Sequence, residues 1–453
     1  MLKSAKLWGH LLVVPSLALF CSSGARPASG IESLTLRQAV ERALEQHPSI
    51  GASRAGRDEA RAAVDEAMAS WYPTLRLSGS ATRYEQPMPV SPIHGFRPGE
   101  VPPFSESVLQ GGLAFTYILF DGAGRLGRVR LARAKAATAE VALDAAQQLL
   151  IARVISAYLD VLSKKQILDA EGRRLAALQA ERARIGQLLD AGRAAPLQAL
   201  RVDAAIASAE ADRVRMSTGL DAAERELARM LDWAVEETRA DRLEAVALCD
   251  TTPPQRHALV ALALKTNPSL QQARDQLLAS RASLMTARSA RWPELRLVGN
   301  YLDYAGADGD QTFEWNAGVQ LSFPIFTGGA IRKGIARADA ASRGAGEQIR
   351  LAEIQLQQDI DRALSAVDEA RARVVSLDKA VTSFDEVARI EKLSLEAGSG
   401  TLTDYLDAEA DLLAARANLV DARYREIIAR AELARIAGML SRQWLVQTLE
   451  EAP

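Results

Sequence analysis

Cysteine is nearly absent. The 453 residues contain only Cys21 and Cys249, which excludes a disulfide-stapled scaffold and leaves size to stabilise the chain. Aromatic residues make up 5% against a hydrophobic total of 48%, so alanine and leucine must do most of the packing, as helices allow. Neither sign of charge dominates: 55 Lys and Arg face 57 Asp and Glu, which removes the basic field that nucleic-acid binding needs. His10, His47, His94 and His257 are scattered, and no spacing of His, Cys or carboxylates marks a structural or catalytic metal. There is no Gly-x-x-x-x-Gly-Lys-Ser/Thr loop for ATP and no nucleophile elbow. Neither a catalytic residue nor a cofactor is predicted, and the protein reads as something other than an enzyme. Past the amino terminus no stretch approaches the ~18 consecutive apolar residues of a membrane helix. That excludes a helical membrane protein and leaves a barrel open.

What is present begins with a secretory pattern. Lys3 and Lys6 precede the apolar run Leu11 to Phe20, and small residues follow from Ser22 to Gly30, so residues 1–30 are predicted to be a signal peptide. The bulky Phe20 beside Cys21 disfavours a lipoprotein signal.

The chain then says nearly the same thing twice. His47-Pro48 falls on Asn267-Pro268 at an offset of 220, and Pro73-Thr74-Leu75-Arg76-Leu77 falls on Pro293-Glu294-Leu295-Arg296-Leu297 at the same offset. Further on, Phe120-Asp121-Gly122 meets Phe326-Thr327-Gly328 and Gly192 meets Gly398, both at an offset of 206. The difference lies in the Pro-rich segment 87–103, an extracellular hairpin loop in this reading. Residues 31–250 therefore form a first repeat, with strands near 74–85 and 106–119 and long helices at 122–190 and 196–233. Residues 251–442 form a second, with strands near 294–304 and 312–323 and long helices at 328–397 and 401–440, followed by a tail at 443–453.

In the clearest strand Phe313, Trp315, Val319, Leu321 and Phe323 alternate with Glu314, Asn316, Gln320 and Ser322, an apolar face backed by a polar one. The first long helix of each repeat lacks proline and would reach roughly 100 Å at 1.5 Å per residue. Ile360, Val367, Val374, Val381, Ala388 and Leu395 recur every seven residues, as do Val154, Val161, Leu168, Leu175, Arg182 and Leu189. Such rows predict left-handed coiled packing, with Arg182 reaching out to the surface.

Four strands cannot close in lipid, where an open edge leaves backbone groups unpaired at several kcal/mol each. Copies must share one barrel, and three copies are the fewest whose pooled strands leave an aqueous lumen. The predicted fold is thus an α+β membrane protein in which a long antiparallel α-helical coiled-coil barrel continues into a β-barrel shared between three chains. A non-conducting periplasmic coiled-coil adaptor or scaffold is the competing reading, and the amphipathic strands argue against it.

The duplicated order, the Trp-Pro before each first strand, the Phe-x-Gly turns at Phe120 and Phe326, and the stretch Ala397-Gly398-Ser399-Gly400-Thr401-Leu402-Thr403-Asp404-Tyr405-Leu406-Asp407-Ala408 resemble the TolC-like outer-membrane efflux family. The resemblance covers almost all of the chain beyond the signal. It implies a homotrimer in the Gram-negative outer membrane, touching lipid through its barrel and joined by a periplasmic adaptor (membrane fusion) protein to an inner-membrane transporter of the RND, ABC or MFS type. Efflux and type I secretion both lie within that implication. It also places Asp404 and Asp407 at a cation-binding ring that narrows the periplasmic entrance. Asp411 shares their helix face without inheriting the assignment. Where the family has a basic or polar residue two positions beyond the glycine, this chain has Gly400, so a gate-locking ion pair is not expected there. Thr401-x-x-Asp404 also reads as a helix N-terminal cap.

Gly122-x-Gly124-x-x-Gly127 matches a dinucleotide fingerprint in isolation. Its counterpart Gly328-Gly329 with Gly334 lacks the spacing, and a rod of this length cannot serve a βαβ crossover. Gly122, Gly124, Gly328 and Gly329 are predicted to turn the chain from barrel to helix, and Gly192, Gly398 and Gly400 to turn the helical hairpins.

Overall fold

The computed structural model describes residues 33–90, 99, 101–249 and 254–451. The expected signal segment with Cys21, and His94 with most of its loop, lie outside them. The order is α1 (Leu36–Gln46), α2 (Pro48–Ala69), β1 (Thr74–Pro89), β2 (Phe104–Phe120), α3 (Gly124–Asp190), α4 (Pro196–Leu231), β3 (Val246–Leu248), α5 (Arg256–Thr266), α6 (Pro268–Ser289), β4 (Glu294–Gly306), β5 (Gln311–Ser322), α7 (Ala330–Glu396), α8 (Leu402–Ile436), α9 (Arg442–Thr448) and β6 (Leu449–Glu451). Element lengths come in matched pairs: α1 and α5 have 11 residues, α2 and α6 have 22, α3 and α7 have 67.

The two dipeptides that reveal the repeat are helix starts. His47 caps α2 by accepting from Ser49 N at 3.2 Å, Asn267 caps α6 by accepting from Leu270 N at 3.0 Å, and each is followed by proline at the first helical position. Proline has no N–H to orphan there, and its fixed φ suits the helix.

The main sheet has the order β1-β2-β4-β5, antiparallel throughout. Its register brings Leu77, Leu113, Tyr301 and Trp315 into one row and Leu75, Phe115, Gly299 and Ala317 into the next. Directly paired residues point the same way. The odd-numbered side chains of all four strands therefore form one mainly apolar face, and Arg76, Ser78, Gln110, Asn300, Asn316 and Gln320 lie on the other. On that polar face Asn300 Nδ2 donates to Asn316 Oδ1 at 2.9 Å. β1 runs to Pro89, so it extends into the expected Pro-rich loop, and β2 begins at Phe104, where that loop ends. Proline is tolerated because β1 is an edge strand and its register shifts between Arg83 and Met88.

Midway along the rods the buried core gathers into a belt. Val40 and Leu44 of α1, Val154, Ile155, Tyr158 and Leu159 of α3, Leu227 and Leu231 of α4, and Ile427 and Ala431 of α8 pack together there. A second cluster joins Leu259 and Leu270 to Ile360, Val367 and Ala437. The belt accounts for a correction: α3 does contain an 18-residue window of mean hydropathy 1.3, long and apolar enough by composition to cross a membrane. Half of it is buried against other elements, as a belt core requires. Of the heptad rows, Val154, Val161, Leu175, Ile360, Val367 and Ala388 are buried. Arg182 does more than reach for water: its Nε donates to Asp203 Oδ1 of α4 at 2.6 Å.

The expected tail is structured over its described residues 443–451. Leu445 of α9 and Leu449 of β6 pack into the belt, and β6 pairs with β3 through Val246↔Glu451 and Leu248↔Leu449. The chain start joins the same place, with Leu34 N donating to Arg242 O at 2.7 Å and Glu244 N to Leu34 O at 3.2 Å. Buried Tyr158 places its hydroxyl 2.7 Å from Leu34 O and 2.8 Å from Glu244 O. Tyr158→Phe should destabilise the belt by about 1–3 kcal/mol, since it strips a donor from buried carbonyls; a thermal melt matching wild type would refute this.

Candidate functional site

Three places in this fold bear on function: the sheet, its junctions with the rods, and the far hairpin tips. On the sheet, Leu75, Leu77, Leu109, Phe313, Trp315, Val319 and Leu321 are exposed, as is Phe323 just beyond β5. Exposed apolar surface of this extent needs a non-aqueous neighbour. Among the described residues β1 pairs only with β2 and β5 only with β4, so both outer backbones present unused hydrogen-bonding groups there.

At the first junction Gly122 has φ +62° and a side chain there would run into Trp292, whose Cβ lies 2.6 Å from the position a Cβ would take. A Cβ on Gly124 would meet Ser289 Oγ at 2.8 Å, and one on Gly127 would meet Thr286 Oγ1 at 2.4 Å. The three glycines thus let α3 lie against α6, which explains a spacing that imitates a nucleotide loop. Asp121 Oδ2 accepts from Arg125 N at 2.6 Å and caps α3. The buried Arg125 guanidinium sits 4.4 Å from the Trp71 ring centre, with Nη1 3.5 Å from Ser70 O. Its role escapes a reading of the sequence, although Asp121 and Arg125 stand four apart. At the second junction Gly328 and Gly329 have φ +59° and +83°, with open space around both.

At the tips, Gly192 has φ +70° and Gly398 has φ +77°, the left-handed conformation that ends a helix. Arg193 N donates to Leu188 O at 2.7 Å, and Ser399 N to Ser394 O at 2.9 Å. Gly400 is required for a different reason: it lies so close to α7 that a Cβ would stand 2.8 Å from Ser394 Cβ. Thr401 Oγ1 accepts from Asp404 N at 3.2 Å and donates to Asp404 Oδ2 at 2.6 Å. Asp404 is therefore engaged at the cap, while Asp404, Asp407 and Asp411 all remain exposed along one face. Among the described residues no three His, Cys, Asp or Glu side chains come together closely enough to hold a metal.

The two hairpins touch near their tips through Ile185, Ala199, Val202, Leu402 and Tyr405, and Arg201 Nη1 hydrogen-bonds Thr403 Oγ1. No local pattern signals this cross-link, because the partners are 202 residues apart. Burial, with Glu409 and Glu181 nearby, pushes the Tyr405 hydroxyl up to about 12. A raised pKa means that the folded protein keeps the proton longer than the unfolded chain does. Stability carried by Tyr405 is full below pH ~10 and falls as pH rises toward ~12. Tyr405→Phe should flatten that part of an alkaline unfolding curve, and an unaltered curve would contradict the assignment.

A sequence profile described as outer membrane efflux protein matches residues 39–232 and 259–439. Outer membrane protein TolC of Vibrio cholerae serotype O1 is 25% identical over 446 residues, covering 94% of this chain and 96% of that protein. Proteases secretion protein PrtF of Dickeya chrysanthemi is 25% identical over 313 residues, 67% of each chain. The crystal structure of outer membrane protein VceC from Vibrio cholerae superposes with a TM-score of 0.74 at 21% identity, covering 89% of this chain and 96% of that one.

Proposed function

The chain belongs to the outer membrane efflux protein family, and we propose that three copies pool their four-stranded sheets into one barrel and conduct solutes passively through it. It resides in the Gram-negative outer membrane, with its helices in the periplasm. The observation that carries the proposal is the sheet itself: one register-matched apolar face, one polar face and two unfilled edges. Lipid would cover the apolar face, other copies would fill the edges, and the polar face would line a wet lumen. The matched element lengths fit an internal duplication, so that each copy contributes two similar hairpin units.

On this reading the rods extend the lumen to the tips, where Asp404 and Asp407 from each copy form an acidic ring at the entrance and Asp411 lies one turn behind. A periplasmic adaptor and an inner-membrane transporter of the RND, ABC or MFS type deliver the cargo. The driving force comes from that transporter, and the chain acts as a conduit rather than an enzyme. Small-molecule efflux and type I protein secretion fit the same duct, since a wide aqueous passage discriminates little.

The test is to purify the protein from outer membranes, measure its mass in detergent and record from planar bilayers. A heat-labile trimer with discrete conductance steps is expected. A soluble monomer that never conducts would sink the proposal and favour a scaffold.

A further inference from the structure

Below the belt the two helical hairpins match in length and differ in stiffness. α3 and α7 begin and end at an offset of 206, and α4 and α8 begin at the same offset, so positions in one hairpin have counterparts in the other. Over 165–190 and 196–231 the first hairpin contains Gly172, Gly186 and Gly219, whereas the matching stretches 371–396 and 402–436 contain no glycine. Only proline is a poorer helix former, and packing does not demand glycine here. A Cβ on Gly172 would meet nothing within 4 Å, and one on Gly219 would meet only Lys164 Cε, at 4.0 Å. Gly127, by contrast, is pressed against Thr286.

The neighbouring side chains weaken the same level. Glu171 is fully buried with Oε2 lacking a hydrogen-bond partner, Arg174 Nη1 stands 3.4 Å from its other oxygen, and Arg174 Nε is buried without a partner as well. Burial pushes the Glu171 carboxyl above its ordinary range against the pull of Arg174 and Arg215, with Asp212 of α4 adding to the rise. The counterpart of Glu171 is Leu377, and an incompletely bonded buried pair holds helices together less well than apolar residues do. On α4, Ser217 Oγ and Thr218 Oγ1 both donate to Val214 O at 2.9 Å, a back-bonding that loosens and bends helices. Gly219 follows them directly.

The second hairpin is bound across at this height. Gly172 and Ser217 correspond to Asp378 and Arg423, which join α7 to α8 at 3.1 Å, and Asp385 with Arg416 adds a second crossing at 2.5 Å. Exposed pairs of this kind contribute little each, so the larger difference is the unbroken run of helix formers in α7 and α8. In the first hairpin Lys164–Asp160, Arg174–Glu171 and Arg215–Asp212 each stay within one helix. Among the described residues the ion pair that joins α3 to α4 is Arg182–Asp203, nearer the tip. The loose stretch has clear limits: above it Gln166 Nε2 donates to the Tyr424 hydroxyl at 2.8 Å and fixes α3 to α8, and below it Leu175, Leu178 and Ala209 pack together.

We propose that the first hairpin bends at this level, with Glu171–Gly172 and Ser217–Gly219 as its hinge, and that its tip swings against a second hairpin that stays straight. A hinge needs only a few residues in an otherwise stiff element. Gly172 and Gly192 are 20 residues apart, about 30 Å along a helix, so a bend of about 10° carries the tip about 5 Å. That is enough to part Ile185 and Val202 from Leu402 and Tyr405 and to break the bond between Arg201 and Thr403. The bend is a property of the single chain; that it widens the entrance rests on the duct reading above.

The experiment uses full-length protein purified in detergent, with hydrogen–deuterium exchange read by peptide and currents recorded in planar bilayers. In wild type, amides over 166–175 and 212–221 should exchange about tenfold faster than their counterparts over 372–381 and 418–427, as locally opening segments do. Gly172→Ala with Gly219→Ala adds helix propensity without a clash and should slow the first hairpin's exchange by about tenfold. Glu171→Leu, which installs the second hairpin's residue, should slow it in the same direction. Gly344→Ala, on α7 with open space around it, should leave the first hairpin's exchange as it is. The stiffened double variant should also reach its fully open level about tenfold less often. Equal exchange in the two hairpins of wild type would overturn the hinge, and so would a double variant that exchanges as fast as wild type. Slowed exchange with unaltered opening would overturn the link between hinge and entrance. A wild-type protein that never conducts would instead overturn the duct reading, with the exchange result still deciding the hinge.

Discussion

Gly127→Val should cost the protein its junction between barrel and rod. The new Cβ would stand 2.4 Å from Thr286 Oγ1, 2.9 Å from Thr286 N and 3.1 Å from Ala282 O. Two of those three atoms are backbone, so no rotamer change relieves the overlap, and α3 must move off α6. Forcing atoms into a packed contact costs typically 1–3 kcal/mol, and a β-branched side chain against backbone belongs at about 3 kcal/mol or above. Because α3 carries on from β2, the displacement is passed directly to the sheet. Outer-membrane yield should fall sharply and any surviving protein should melt earlier by circular dichroism. Gly334→Ala is the control: its Cβ would enter open space, and replacing a helix-interior glycine gains up to about 1 kcal/mol. Equal behaviour of the two variants would show that the α3–α6 approach is not tight.

Asp404→Asn combined with Asp407→Asn should abolish most of the channel's preference for cations while leaving it folded. In the proposed trimer the pair would supply a ring of carboxylates at the entrance, and rings of one sign in a confined path set ionic selectivity. Local fields of this kind change counter-ion concentration by about tenfold or more, so the cation-to-anion permeability ratio from reversal potentials should drop by about tenfold. The fold should tolerate the change because Thr401 Oγ1 still receives Asp404 N, at 3.2 Å. The lost charge at the start of α8 costs only about 0.3–1 kcal/mol. Asp411→Asn, a turn farther from the tip, should do less. If the double variant keeps its selectivity, the two acids serve the helix end alone.

The parts of this fold that can be read from sequence are those whose signal is local and repeated. Pro48 and Pro268 start helices wherever they occur, and the alternation from Phe313 to Leu321 is visible without knowing what β5 pairs with. Other features depend on distant partners. β3 and β6 are three residues each, too short for any period to register, and they exist because α9 brings the chain back to the belt. Arg125 looks like one more arginine in a charged helix until Trp71 is set beneath it. Arg201 and Thr403 meet only because two hairpins lie side by side. Gly122, Gly124 and Gly127 show the opposite hazard: the spacing is conspicuous, and its cause is helix proximity rather than phosphate. Asp404 and Asp407 were singled out by resemblance, and the contact that the fold itself shows is the cap between Thr401 and Asp404.

The pairing of β6 with β3, together with Leu34 laid beside Glu244, ties two segments far apart in sequence to the stretch that joins the two repeats. A ribosome releases Val246 long before Leu449 follows, so this latch cannot close until α9 and β6 have been made. Premature termination anywhere in α9 would leave β3 without a mate, and quality-control proteases would meet an unfinished waist.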